Sequence, residues 1–216
     1  MKILNLYACL GGNRYKWGDE HEITAVELDV DIARLYKERF PNDNVIVGDA
    51  HQYLIDHYKE FDFIWSSPPC PTHSRIRFSQ KNRDFYKPQY PNMMLYQEII
   101  FLEHHFEGKY LVENVIPYYE PLIPAQKRGR HLYWANFTLP SDICERLNGK
   151  GIISSRKGNE LKQLCEFHEI DISTYNGEQS KIKIARNLVD YMAGKTILDT
   201  VMGIMTKRNN EQISLF

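Results

Sequence analysis

Three short stretches carry residue types able to do covalent chemistry. The first is Ser67-Pro68-Pro69-Cys70-Pro71-Thr72-His73-Ser74. Two prolines stiffen the backbone just before a cysteine. The stretch follows an apolar run, residues 61–65, that reads as a buried strand. A cysteine held at the carboxyl end of a strand is well placed to act as a nucleophile. The second stretch, Val112-Glu113-Asn114-Val115, puts a carboxyl group and an amide at the end of another apolar run. The third, Gln126-Lys127-Arg128-Gly129-Arg130, spaces two guanidinium groups two residues apart ahead of a strand. That spacing predicts Arg128 and Arg130 on one side. Each stretch has an ordinary alternative. A lone buried cysteine is usually structural, a Glu-Asn pair after a strand is often a turn, and paired arginines are often surface charge. Their common position at strand ends argues for a site.

The elements that must position them follow from the apolar patterning. Residues 3–7, 23–28, 45–47, 61–65, 110–113 and 131–137 read as strands. Helical stripes cover residues 29–40, stopped by Pro41, and residues 50–58. A long polar and aromatic loop spans residues 71–91. Asn92 then caps a helix through Phe106, which Gly108 ends. This alternation predicts an α/β fold, a mostly parallel sheet with helices on both faces. Beyond residue 137 the pattern degrades, with a short helix near residues 160–167 and one last helical pattern over 184–205. The expected organisation is a main domain of residues 1–137 and 181–205, a short insert at 138–180, and a tail from 206 to 216.

A second set of residues sits at the ends of the first three strands. Gly11 and Gly12 follow the first, where missing side chains let a ligand approach the backbone. Glu27 ends the second, where an acid can accept both hydroxyls of a ribose. Asp49 follows the third, placed to accept from an amino group on a base. Two glycines alone are often a tight turn, and each acid alone is often a helix cap. Together at successive strand ends they predict a nucleoside pocket, although the glycine spacing is not GxGxxG.

The bulk properties agree with a soluble domain. The chain has 216 residues, 43% hydrophobic and 25% charged, enough for one sizeable core. There is no membrane-spanning run and no signal-peptide pattern, so a cytoplasmic location with reduced thiols is expected. Cys9, Cys70, Cys144 and Cys165 form no CxxC pair, and no zinc site is expected. The net charge is −1. Nucleic-acid contact therefore needs a local basic face, for which Arg75, Arg77, Lys81, Arg83, Lys87, Lys127, Arg128, Arg130 and His131 are candidates.

The three chemical stretches, in this order, resemble the motifs of the cytosine-C5 DNA methyltransferases. The first strand and its glycines resemble the family's Asp-Leu-Phe-x-Gly-x-Gly-Gly, with Asn5 in place of the acid and Cys9 in place of a glycine. Arg186-Asn187-Leu188-Val189 resembles its late Gly-Asn-Ala-Val, with Arg186 in place of glycine. The resemblance covers about residues 1–137 and 181–203. It implies a Rossmann-like fold and S-adenosylmethionine as cofactor. Tyr7 would stack on adenine, Gly11 and Gly12 would make room for the methionine part, Glu27 would hold the ribose and Asp49 the adenine edge. Leu28, Ala50, Pro68, Asn187 and Val189 would complete that pocket.

The implied chemistry starts from the poor nucleophilicity of cytosine C5. A thiolate, here Cys70, adds to C6 and pushes electron density toward C5. Glu113 would steady N3, with Asn114 fixing its neighbourhood, and Arg128 and Arg130 would bind O2, orient Glu113 and favour the thiolate. Gln126 completes the matching Gln-x-Arg-x-Arg pattern and is grouped with the DNA contacts. The base must leave the duplex to reach Cys70. The 71–91 loop would close over it, with Ser74, Arg75 and Arg77 on phosphates and Phe78 and Phe85 filling or stacking. Residues 138–180 are short for the family's target-recognition region. The tail Gln212-Ile213-Ser214-Leu215-Phe216 resembles the bacterial sliding-clamp-binding pentapeptide, with Gln212, Leu215 and Phe216 as the contacts. Double-stranded DNA and a clamp are thus the expected partners, in a restriction-modification, phage-protection or orphan role. The alternatives are an RNA (tRNA-type) cytosine-C5 methyltransferase and a non-catalytic DNA- or clamp-binding subunit.

Overall fold

The structure is a computed structural model; it describes residues 1–79, 81–82, 86–143 and 160–204, without the side chain of Phe78. Arg83, Phe85, Cys144 and the tail with Gln212, Leu215 and Phe216 lie outside the described residues.

Among the described residues, seven strands form one sheet in the order β3-β2-β1-β4-β5-β7-β6. β1 (Lys2–Leu6), β2 (Glu22–Glu27), β3 (Asn44–Val47), β4 (Phe63–Ser66) and β5 (Lys109–Val115) are parallel. β6 (Gln126–Arg128) and β7 (His131–Ala135) form an antiparallel hairpin on the β5 edge. The chain runs from β1 outward to β3, then returns to lay β4 on the other side of β1. At such a switch the connecting loops diverge and leave a crevice at the carboxyl ends of the strands. The α/β fold and its mostly parallel sheet are as the sequence predicts.

Both faces of the sheet are covered, which is why its strands are apolar at successive positions. On one face Leu4, Leu6, Ile64 and Val112 pack against α2 (Ala50–His57) and α4 (Met94–His105) through Leu54, Leu95, Ile99 and Leu102. On the other, Ile3, Phe63, Trp65 and Leu111 meet Trp17 and the Ala193, Ile197 and Leu198 face of α7 (Tyr191–Val201). Complete burial of each such side chain contributes about 1.5–3 kcal/mol. Cutting Ile64, which has no exposed surface, back to alanine would cost about 2–5 kcal/mol. Aspartates set the starts of three helices. Asp29 caps α1 (Val30–Arg39), Asp49 caps α2 and Asp190 caps α7, each accepting from two backbone N–H groups.

Four details depart from the sequence reading. The 71–91 loop contains a short helix, α3 (Arg75–Ser79). Gln126-Lys127-Arg128 is itself a strand. The last helical pattern is two helices, α6 (Lys181–Arg186) and α7, because Asp190 takes the capping position and starts a new helix. Finally, Met93 rather than Asn92 is the N-cap of α4, although Asn92 Oδ1 accepts from the Met94 N–H at 3.0 Å. α5 (Glu160–His168) and the following residues contribute Leu164, Ile172 and Tyr175 to one core with Leu10, Ile32 and Leu35. Tyr175 and Gln179 both donate to the second oxygen of the α1 cap, Asp29.

Candidate active site

A cleft of about 1220 Å³ runs along the carboxyl ends of the strands and is lined by residues from both sets, among them Gly12, Glu27, Asp49, Cys70, Glu113 and Arg130. Its first end is built by the loop after β1. Tyr7, Cys9 and Gly11 there have φ of 56°, 48° and 66°. A left-handed backbone strains the first two, since each carries a Cβ. The loop is held by Glu27, whose Oε2 accepts from the Cys9 N–H at 2.9 Å and whose Oε1 accepts from the Asp29 N–H at 3.0 Å. Burial pushes the Glu27 carboxyl above its usual range, and those N–H groups pull it back. Tyr7, Glu27, Leu28, Gly48, Asp49 and Ala50 line this end.

The two glycines do different things. A Cβ on Gly12 would lie 2.4 Å from the Val189 carbonyl oxygen, so its bareness lets the loop touch the segment between α6 and α7. That contact brings Asn187 and Val189 to the cleft wall beside Gly12. Gly11 does not line the cleft. A Cβ there would lie 2.5 Å from Phe40 and 2.8 Å from Tyr36, on the α1 side. Gly11 thus packs the loop on the α1 side.

The second end is built across β4 and β5. The Ser67 hydroxyl donates to Glu113 Oε2 at 3.0 Å and accepts from Trp65 Nε1 at 2.8 Å. Asn114 Nδ2 donates to the Pro68 carbonyl at 2.8 Å. Two side-chain bonds thus fasten the Pro-Pro-Cys turn to the carboxyl end of β5. The Cys70 carbonyl accepts from the N–H groups of His73 and Ser74, which closes the turn. His131 Nε2 lies 3.5 Å from Glu113 Oε1. Burial, then the negative charge of Glu113, push the Cys70 thiol above its usual range, and Lys183 on α6 acts against them. Pro68, Cys70, Glu113, Asn114, Arg130 and Lys183 all line the cleft.

The hairpin divides the arginines. Arg128 donates from Nε to the Pro140 carbonyl and from Nη2 to the Leu139 carbonyl at 2.5 Å, so its guanidinium serves the segment after β7. Gln126, two residues earlier on the same strand face, likewise donates to the Phe137 carbonyl and accepts from the Leu139 N–H. Neither lines the cleft. The expectation that Arg128 shares a side with Arg130 fails because Gly129, at φ 56°, turns the chain and interrupts the alternation. Ser74, Arg75 and Arg77, on the 71–79 segment, do not line the cleft. Ser74 pairs with Pro117, Arg75 Nε donates to the Pro117 carbonyl and Arg77 Nη2 to the Lys87 carbonyl. Sequence reasoning assigned no part to Ser67 or Lys183. Ser67 had a local signal, a hydroxyl between a buried strand and Pro-Pro, whereas Lys183 reaches the cleft only through tertiary packing.

Among the described residues no helix is long and apolar enough to cross a membrane. Comparison with known proteins bears on this geometry. No curated protein matches the chain. Among solved structures it is similar to DNMT2 of Spodoptera frugiperda, as an E260A/E261A/K263A mutant, with 30% identity over 53% of this chain and 35% of that one, TM-score 0.39. It is also similar to a hypothetical protein of Thermus thermophilus, with 17% identity over 62% and 73% of the two chains, TM-score 0.41. A third is described as a DNA modification methyltransferase encoded within an Escherichia coli prophage, with 17% identity over 56% and 33%, TM-score 0.39. The chain thus spans 35% of the length of that DNMT2. The family model for C-5 cytosine-specific DNA methylases matches residues 1–116, the half that carries the glycine loop, both strand-end acids, Cys70 and Glu113, and the chain belongs to that family.

Proposed function

We propose that the protein methylates C5 of cytosine in double-stranded DNA through a transient bond between Cys70 and C6 of the base. The observation that carries this reading is the pair of bonds, Ser67 to Glu113 and Asn114 to Pro68, that fixes Cys70 and a carboxyl group in one cleft. S-adenosylmethionine is the family's cofactor, and the first end of the cleft fits it. Glu27 and Asp49 offer carboxylate oxygens to hydroxyl and amino hydrogens, while Tyr7 and Leu28 offer apolar surface. When bound, the cofactor supplies an electrophilic methyl group.

The protein's own residues then do the following. Cys70 gives its proton to water and its sulfur adds to C6, which breaks the C5–C6 double bond and moves an electron pair toward C5. The Glu113 carboxyl meets N3, where a hydrogen bond or proton makes the ring accept that pair. Arg130 and His131, at the same end, offer positive charge or N–H donors to the rest of the pyrimidine edge. After C5 carries the methyl group, water removes the C5 proton, the double bond reforms and the Cys70 sulfur leaves. A base inside a duplex cannot reach a sulfur at this depth, so the nucleotide has to swing out. We further propose that residues 212–216 tether the enzyme to a sliding clamp, raising its local concentration on DNA. Deleting them should abolish clamp binding and spare methylation of free oligonucleotides.

The decisive experiment offers the protein a 5-fluorocytosine duplex with the cofactor. Fluorine at C5 cannot leave as a proton does, so an active enzyme stays covalently attached. The unaltered chain should form an adduct stable to denaturing electrophoresis, and Cys70→Ala should form none. Adduct formation by the alanine variant would sink the mechanism. Labelled methyl transfer to tRNA but not to duplex DNA would move the substrate to RNA.

A further inference from the structure

The buried face of α4 is apolar except for one residue, Glu98. Its neighbours Leu95, Ile99 and Leu102 fill the core beneath the sheet, and its own side chain has no exposed surface. Burying a carboxylate costs several kcal/mol unless good bonds compensate, and an apolar residue of like volume would usually serve packing as well. Glu98 has three partners on three different elements. Its Oε1 accepts from the Tyr7 hydroxyl at 2.5 Å and lies 3.0 Å from His51 Nδ1. Its Oε2 accepts from the Ser66 hydroxyl at 2.5 Å.

Each partner leads to the cleft. Tyr7 lines the cofactor end with a backbone in the left-handed region, a conformation that its neighbours must hold in place. His51 is in the first turn of α2, next to Asp49 and Ala50 on the same wall. Ser66 is the last residue of β4, and the next residue is Ser67, the donor to Glu113. One carboxylate therefore grips the adenine side of the cleft and the root of the Cys70 turn together.

We propose that Glu98 is a positioning residue that sets the cofactor wall and the Cys70 turn in register with each other. The inference rests on the reading of the cleft as a site for S-adenosylmethionine and a cytosine. Burial and Glu98 keep the Tyr7 hydroxyl protonated well beyond its ordinary range, and the bond to Glu98 holds a proton on His51 to higher pH. The Tyr7 hydroxyl thus remains a donor to Glu98.

The test uses the full chain and three variants, each measured for S-adenosylhomocysteine affinity by calorimetry and for the rate of 5-fluorocytosine trapping. Glu98→Gln keeps the volume and removes the charge. It should weaken cofactor-product binding and slow trapping at saturating cofactor, each roughly tenfold, while the melting temperature stays within a few degrees. Tyr7→Phe should weaken binding. Ser66→Ala should slow trapping and leave binding as it was. A Glu98→Gln variant that binds and traps like the unaltered chain, or that loses only one of the two properties, overturns the coupling. If Glu98→Gln does not fold, the other two decide. Separate losses support the inference, and two variants that behave like the unaltered chain overturn it. Failure of the unaltered chain to bind S-adenosylhomocysteine at all would instead bring down the proposed function, and this inference with it.

Discussion

The two ends of the cleft are fastened in opposite ways. At the cofactor end, side-chain carboxylates grip backbone N–H groups: Glu27 holds Cys9 and Asp29, while Asp29 and Asp49 hold the first turns of two helices. Each acid there is bonded to backbone N–H groups, which hold the loop after β1 and the starts of α1 and α2 in place. At the chemistry end the ties run from side chains, Ser67, Asn114 and Trp65, across two strands. Its central thiol is disfavoured as a thiolate, with Glu113 opposing ionisation. The result is a division of labour. One end is tied to backbone amides, while at the other a buried thiol sits beside an acid that opposes its ionisation.

Substitutions can separate the two ends. The largest effect is expected from Glu113→Gln, which removes the group proposed to meet N3. Adduct formation should slow by about 10²–10⁴-fold, with S-adenosylhomocysteine affinity unchanged in calorimetry. Equal damage to both would show that the ends are not independent. Glu27→Ala should do the reverse. Loss of a charged acceptor bonded to two amides should weaken cofactor binding by about ten- to a hundredfold, measured in the same titration.

The thiol's environment gives a pH dependence with a definite sign. Because the folded Cys70 thiol is pushed above its usual range, its alkylation by iodoacetamide should be slow near neutrality and rise as pH passes the ordinary thiol range. Glu113→Gln removes a negative charge and should move that profile to lower pH. Lys183→Gln removes a positive one and should move it to higher pH. Identical profiles in all three proteins would contradict the account of Cys70. The smallest effect is at a helix cap. Asp190→Ala should cost about 1 kcal/mol and lower the melting temperature by roughly 2–4 °C, read by circular dichroism.

Much of this was legible because buried parallel strands are apolar throughout and stop at recognisable residues. Glu27, Asp49, Cys70 and Glu113 could each be placed at a strand end from the pattern alone, and all four line the cleft. The failures have local causes. Period-two reasoning put Arg128 and Arg130 on one side ahead of the strand, and a left-handed Gly129 between them reversed the outcome for Arg128. The last helix looked continuous because residues 184–205 keep an apolar stripe, yet Asp190 is a better cap than a helix interior residue. Gly11 and Gly12 look alike in sequence, and only the neighbours of each missing Cβ tell them apart. Lys183 and Glu98 carry no local signal, since what they touch comes from distant parts of the chain.

The contact of Gly12 with the Val189 carbonyl has a consequence for how the protein is made. The cleft floor joins Gly12 to Leu188 and Val189, far apart in the sequence. While the polypeptide emerges from a ribosome, the sheet can assemble in order, but that floor has to wait until residues 187–189 have been made. A nascent chain halted before residue 187 would hold the sulfur and the acids in place with one side of their chamber missing. Completion of the cleft is thus a step that follows residue 189 in translation, and ribosomes stalled at successive codons would reveal it.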